Sequence, residues 1–477
     1  MPVLDDWTYL QQFSEARAAG PGPFLDCLRR LIDNTDTGQF RLNWAGFLPA
    51  LALAFPAGTS AWPYTLLFWV LHLATALALN RLVATLTGHP ETAFAAGAIY
   101  VVFPACNDAL FRSFSTIYYL AQPLGLLWWL HGAWRDRFRW SLAAAGRLSL
   151  VAFLGEQIIP VLALLPGITW LLFGRRQEGG QFLRRWAAHL ATLAALAGFY
   201  ALVINMRPIL ASARGRYGAV DWHPWRFVSR MLGALHVPGL AEWEISWTFD
   251  ATPGLLAAPA AAAVLWGLRR YSRPSPDAAS SLKLIAWAAA ATALAWLPVA
   301  GLAMEYRYLY VPSTFVAAGL AATLTTLPAP QRRALVALAV AATAALGWFE
   351  MQACWIPQSR LARAALQSVD QAAPWRDGDI AVFAGGPFGI GSAPNFITGS
   401  SWSLKSMLEL RTGRKNMRGG RDVWIDERGD WILSRPDSSE RLVPPDHQRL
   451  RIFAYDPATG RYHPQPLSGV RHGHSTR

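Results

Sequence analysis

Cysteine is scarce, with three in 477 residues (Cys27, Cys106 and Cys354) and no CxxC pair. That excludes a disulfide-stapled fold and a cysteine-based structural zinc site, and leaves room for one bridge such as Cys27 to Cys354. Charge is scarce too. Asp, Glu, Lys and Arg make up 15% of the chain, a little over half the share of about 25% found in soluble domains. No basic stretch opens the chain. Asp5 and Asp6 stand where a secretory leader would carry positive charge. HExxH, Walker, GxSxG and dinucleotide-binding patterns are missing, and Phe388-Gly389-Ile390-Gly391 lacks the strand–helix setting a nucleotide loop needs.

Apolar residues are abundant at 53%, and the mean hydropathy is +0.22. Those values exclude a disordered chain and an ordinary soluble enzyme, and they fit a polytopic membrane protein. Apolar runs fall at roughly 63–86, 92–105, 114–134, 141–155, 157–173, 187–206, 253–268, 284–303, 310–327 and 334–350. Against the ~20 residues of a full span they predict about 10 membrane segments, several of them short.

The net charge is +13, and its placement decides what it means. Arginine pairs such as Arg175-Arg176, Arg184-Arg185, Arg269-Arg270 and Arg332-Arg333 flank apolar runs. This is topology signalling and not a nucleic-acid stripe. With the N-terminus outside, the short inner loops 81–91, 135–147, 174–186, 269–283 and 329–334 hold 15 Lys and Arg, whereas the short outer loops hold Arg112 and Arg307. The same count requires 148–173 to be a hairpin, broken at Gly155 and Pro160, because a single helix would put two arginine-rich loops on opposite sides. Each arm is then ~22 Å long, short of the ~30 Å hydrocarbon core, and Glu156 sits at the hairpin tip.

The outer side then receives three polar pieces: 1–62, 207–252 and the tail 351–477. The tail carries 17 Lys and Arg and 12 Asp and Glu in 127 residues, an ordinary soluble density. Short β-like segments at Ile380–Phe383, Val423–Ile425, Trp431–Leu433 and Leu450–Ala454, separated by glycine turns, predict a small α/β or mainly β domain. The expected division is therefore an all-α membrane domain over 1–350 and an extracytoplasmic domain over 351–477.

Several polar residues at the outer ends are chemical candidates. Asp5-Asp6-Trp7 pairs two acids that suit deprotonation of a hydroxyl or a divalent metal, against the simpler alternative of solvated surface acids. Arg41 precedes an apolar stretch interrupted by Pro49 and Pro56. It suits a phosphate clamp or interfacial snorkelling. Glu156 is a carboxylate in an apolar setting, which costs roughly 2.5–3.5 kcal/mol at mid-membrane and marks polar cavities, with a helix cap as the alternative. Glu305-Tyr306-Arg307-Tyr308-Leu309-Tyr310 packs an acid, a guanidinium and three tyrosines into six residues. The fork of Arg307 suits a phosphate ester, and the tyrosines suit a sugar face or an interface belt. Asn107, Asp108 and Arg112 occupy another outer loop. His72, His131 and His189 are most simply packed or interfacial.

Taken in order, Asp5-Asp6-Trp7, Arg41, Gly155-Glu156 and Glu305–Ser313 resemble the GT-C superfamily of integral-membrane glycosyltransferases, and its protein O-mannosyltransferase-like branch in particular. The resemblance covers most of 1–350, and the late motif is its most specific part. It implies a polyprenyl-phosphate-linked sugar donor in the outer leaflet and a lipid, glycan or protein acceptor. Asp5 or Asp6 would be the base, with Arg307 and Arg41 on the phosphate and Glu156, Glu305 and Tyr308 completing the donor site. No cofactor is required, although some relatives hold a divalent metal at the paired acids. Family members carry a span ahead of the acidic loop, so a helix preceding Met1 is expected. Tyr306 separates Glu305 from Arg307 where the family places acid and arginine side by side, a rotation of ~100° on a helix. Many Ala, Arg and Trp with few Lys fit a GC-rich bacterial gene, so the expected location is a bacterial inner membrane. The rival expectations are a transporter or flippase of lipid-linked glycans and a noncatalytic membrane scaffold.

Overall fold

The computed structural model describes residues 6–33, 62–103, 117–155, 158–174, 176–204, 278–296, 310–327, 329–387, 389–390, 393–394, 401–426, 428–435, 439–443, 446–469 and 471–472. The described chain is mostly helical, with a small C-terminal β region. Two short helices come first, α1 (Asp6–Ala18) and α2 (Pro21–Asp33). A bundle follows: α3 (Trp62–Thr87), α4 (Pro90–Val101), α5 (Ile117–Arg135), α6 (Leu142–Ala152), α7 (Ile159–Phe173), α8 (Gly179–Ile204), α9 (Ala278–Trp296), α10 (Tyr310–Thr325) and α11 (Ala329–Glu350).

Local chemistry sets several of the ends. Gly88 closes α3 at φ +75, donating its N–H to the Ala84 carbonyl, and Pro90 starts α4 two residues later. Ser141 caps α6 by accepting from the Ala144 N–H. Residues 153–158 separate α6 from α7, and Pro160 lies in the first turn of α7. The chain therefore breaks where Gly155 and Pro160 predicted. The run at 253–268 lies outside the described residues. By length and composition, Leu66–Thr87 and Gln331–Gln371 qualify as membrane-crossing helices. Leu142–Ala152, Ile159–Phe173, Ser280–Trp296 and Tyr310–Thr325 are shorter apolar helices.

One end of the bundle collects the described parts of the basic loops. Thr85, Arg135, Arg137, Glu178 and Arg185 line a common cleft. His89 Nε2 lies 3.3 Å from Ser280 Oγ, and Glu91 forms ion pairs with both Arg332 and Arg333. The α6–α7 hairpin follows from the same geometry, since the start of α6 and the end of α7 both meet at this end. α11 starts here and runs away from it, so the C-terminal region emerges from the opposite end.

The expected boundary at 350 falls inside a continuous helical rod. α11 passes through one π-helical turn (Met351–Trp355) into α12 (Ile356–Gln371). After it come β1 (Ile380–Ala384), β2 (Gly389–Ile390), β3 (Ala393–Pro394), α13 (Ser401–Thr412), β4 (Arg418–Gly420), β5 (Asp422–Ile425), β6 (Trp431–Ser434), β7 (Ser439–Leu442), β8 (Leu450–Asp456), β9 (Arg461–Gln465) and β10 (Arg471–His472). One sheet has the order β4-β1-β8-β9, with β1 parallel to both neighbours, and a second has the order β10-β5-β6-β7. β1 is buried on both faces, as its unbroken apolar sequence requires. Ala381 and Phe383 face the core under α12 and α13, while Ile380 and Val382 face Val423 and Leu433 of the second sheet. Three layers result: helices, sheet, sheet. Helix α13 lies directly on β4 because Gly419 has no side chain: a Cβ there would meet Leu404 Cγ at 2.4 Å.

The bridge considered between Cys27 and Cys354 is not formed. They belong to different cores. Cys27 is buried in the bundle cluster with its thiol toward the Gln12 carbonyl, whereas Cys354 packs against the cluster of the C-terminal layers.

Candidate functional site

The end opposite the basic loops holds the flanks of every predicted site segment. Asp6 is the first residue of α1, and Asp5 precedes it outside the described residues. Arg41, Glu156, Glu305, Arg307 and Tyr308 also lie outside them. What is described is how their neighbours are held.

The α1 helix is fixed from two sides. Phe13 packs against Phe24 of α2, with ring centroids 6.4 Å apart, and Arg17 lies over the same ring. Phe13, Ala16 and Cys27 belong to the buried cluster that also contains Phe68, Tyr100 and Tyr310. Against the C-terminal layers, α1 packs on α13, where the Gln11 side chain donates to Glu409. Glu409 in turn accepts from the Met417 N–H at 3.1 Å, which ties it to the start of β4. The helix that begins with Asp6 is thus clamped between the bundle and the C-terminal domain.

The late motif ends in a buried knot. Tyr310 opens α10 and is fully buried. Its hydroxyl lies 2.7 Å from His72 Nδ1 in α3, and His72 Nε2 lies 3.0 Å from the Val101 carbonyl at the end of α4. The Tyr100 ring sits 4.7 Å from the His72 ring and 5.9 Å from that of Tyr310. Tyr310, which follows Glu305–Leu309 in sequence, is therefore anchored where α3, α4 and α10 meet. Both ring nitrogens of His72 are engaged, so the packed reading of this histidine holds, but its partners give it a further role as the pin of that junction.

The hairpin tip is pinned as well. Gln122 of α5 donates to the Leu154 carbonyl at 3.0 Å, and a Cβ on Gly155 would lie 2.1 Å from Gln122 Nε2. Only glycine fits there, and it fixes the backbone immediately ahead of Glu156. Gln122 is buried, and its Oε1 has no hydrogen-bond partner among the described residues. The sequence reading missed Gln122. Its sole signal was an amide in an otherwise apolar helix.

Among the described residues no group of three or more His, Cys, Asp or Glu is placed to hold a metal. No protein-family model matches this chain, and no curated protein matches it significantly.

Proposed function

We propose that this chain is an integral-membrane glycosyltransferase that moves a sugar from a polyprenyl-phosphate donor to an acceptor on the outer face of a bacterial inner membrane. The observation that carries this reading is the polarity of the bundle. The described parts of the basic loops share one end, and the helix that begins with Asp6 lies with the C-terminal domain at the other. Positive loops stay cytoplasmic, so the acid-bearing end is extracytoplasmic. About 10 segments then cross or enter the membrane. Exposed apolar side chains all along the bundle, including Leu66, Val70, Leu77, Leu164, Leu171, Leu338 and Trp348, suit a lipid-facing surface.

In the reaction, an acceptor hydroxyl attacks the anomeric carbon. A new C–O bond forms as the bond from that carbon to the phosphate oxygen breaks, and the electron pair leaves with the polyprenyl phosphate. Asp5 or Asp6 takes the acceptor proton. Arg307 and Arg41 stabilise the departing phosphate, and Glu156, Glu305 and Tyr308 orient the donor. Phosphate is already a good leaving group, so catalysis consists of positioning, a base and charge stabilisation.

The flippase alternative needs polar groups through the depth of the bundle. Among the described residues the bundle buries no Asp, Glu, Lys or Arg. The buried threonines Thr75, Thr169, Thr292 and Thr314 donate to carbonyls four residues back in their own helices.

The test is transfer of radiolabel from a panel of polyprenyl-phosphate-linked hexoses in membranes containing the full chain. Label should move to a membrane or envelope acceptor, and the Asp5→Asn/Asp6→Asn double variant should lose roughly 10²–10⁴-fold of that rate. Equal turnover by wild type and the double variant would overturn the assignment of the acids.

A further inference from the structure

The basic end of the bundle contains a formed cleft of about 310 Å³ that the transfer reaction does not use. Its walls come from elements far apart in sequence. Arg135 ends α5 and Arg137 follows it, Glu178 precedes α8, Arg185 lies in its second turn, and Trp134 and Trp170 close the sides. Three arginines and one glutamate line it, and the Arg185 guanidinium also donates to Gln181 Oε1 at 3.2 Å. Arg137 reaches Glu178 at 3.3 Å, and Arg135 makes no ion pair among the described residues.

The backbone under the cleft is strained and firmly held. Arg137 and Phe138 are both left-handed, at φ 51 and 54, although neither is glycine. Two consecutive residues there are costly and persist only when the surroundings enforce them. Three contacts do so. The Phe138 N–H closes the end of α5 on the Ala133 carbonyl, Arg185 donates to the Arg137 carbonyl at 3.1 Å, and His189 Nε2 lies 3.3 Å from the Phe138 carbonyl. The Phe138 side chain is buried against Phe182, which stacks on Trp170 at 4.8 Å. This packing holds Arg137 at the mouth of the cleft beside Arg185.

We infer that this cleft binds a phosphate group carried on an acyl or prenyl chain, the headgroup of an anionic lipid of the adjacent leaflet. Guanidinium forks match phosphate oxygens in charge and geometry. Indole rings at the walls suit the level of the headgroups. Leu171 and Leu183, neighbours in sequence of the lining residues Trp170 and Phe182, are 75% and 57% exposed and give a hydrocarbon chain an apolar surface beside the charged pocket. A free phosphate would use the arginines and leave that surface uncovered. Glu178 competes for Arg137 and is displaced when the anion enters.

The test uses the full chain in neutral detergent, with tryptophan fluorescence as the readout. Short-chain phosphatidylglycerol, short-chain phosphatidylcholine and inorganic phosphate are titrated separately. Phosphatidylglycerol should bind most tightly. The Arg137→Gln/Arg185→Gln variant should lose about tenfold or more, the scale of one charge-assisted hydrogen bond. Glu178→Gln should tighten binding, because it releases Arg137, and this variant reads the cleft even where the double variant misfolds. Arg363→Ala on α12 should change nothing. Inorganic phosphate binding as well as the lipid would show an anion site without a lipid. Equal binding of phosphatidylcholine, or no effect of either cleft variant, would overturn the inference. None of these outcomes depends on the transfer reaction.

Discussion

The two ends of the helical bundle are built differently. At the basic end the loops are short and knit to one another by side chains: Glu91 to Arg332 and Arg333, His89 to Ser280, Arg137 to Glu178, and Arg185 to the Arg137 carbonyl. At the other end the helices finish in longer segments, and what is fixed is their roots: Tyr310 on His72, Gly155 under Gln122, and α1 on α13. The first arrangement closes a surface. The second anchors the points from which the candidate segments leave, and binding and catalytic residues are commonly carried on segments held by a rigid scaffold. On the proposed function, one end carries topology and the other carries turnover.

The largest effect that sharpens this contrast is on activity. Asp5→Asn/Asp6→Asn should lower transfer by roughly 10²–10⁴-fold while the thermal midpoint stays unchanged. A variant that instead lowers the midpoint would place those acids in the fold. Next comes the hairpin tip. Gly155→Ala drives a methyl into Gln122 and should cost about 1–3 kcal/mol, seen as a lower unfolding midpoint in detergent. Removing the obstacle with Gln122→Ala in the same chain should recover part of that loss. A double variant no better than the single one would show that Gln122 is not the obstacle.

Smaller effects follow. Tyr310→Phe removes the hydroxyl partner of His72 and should cost about 1–2 kcal/mol, with transfer falling as well, since Tyr310 roots the segment of Glu305 and Arg307. Loss of stability without loss of transfer would separate the knot from the site. At the basic end, Glu91→Gln breaks an exposed ion-pair cluster and should cost less than about 1 kcal/mol, an effect that shrinks further in high salt. Transfer should not change. A large drop in activity there would erase the distinction between the ends.

Much of this architecture was legible in the sequence because it is local. The β-like segment Ile380–Phe383 is β1, and the glycine turns at Gly429 and Gly460 precede β6 and β9. Gly155 with Pro160, set against the arginine-rich loops on either side, gave the hairpin. What escaped is nonlocal. His72 and Tyr310 are 238 positions apart, and nothing near either names the other. The left-handed pair Arg137-Phe138 contains neither glycine nor asparagine, so tertiary contacts override local preference there. The boundary expected at residue 350 coincides with the end of α11, and the helical course runs on past it. The helix continues through Met351–Trp355 into α12 because Leu361, Ala362, Ala365 and Val369 give it a new apolar face as it reaches the C-terminal sheet. Of the candidate site, the sequence supplied the charged residues, and the structure supplied the bases on which they stand.

The central claim is that the two ends of the bundle face opposite sides of a membrane. It is tested most directly by replacing the three native cysteines and placing one cysteine at either end, Arg139→Cys beside the cleft or Arg461→Cys on β9. Each full-length variant is exposed to a membrane-impermeant maleimide in intact spheroplasts and again after permeabilisation. The account predicts that Arg461→Cys is labelled in intact spheroplasts and Arg139→Cys only after permeabilisation. Labelling of both before permeabilisation, or the reverse order, would contradict it.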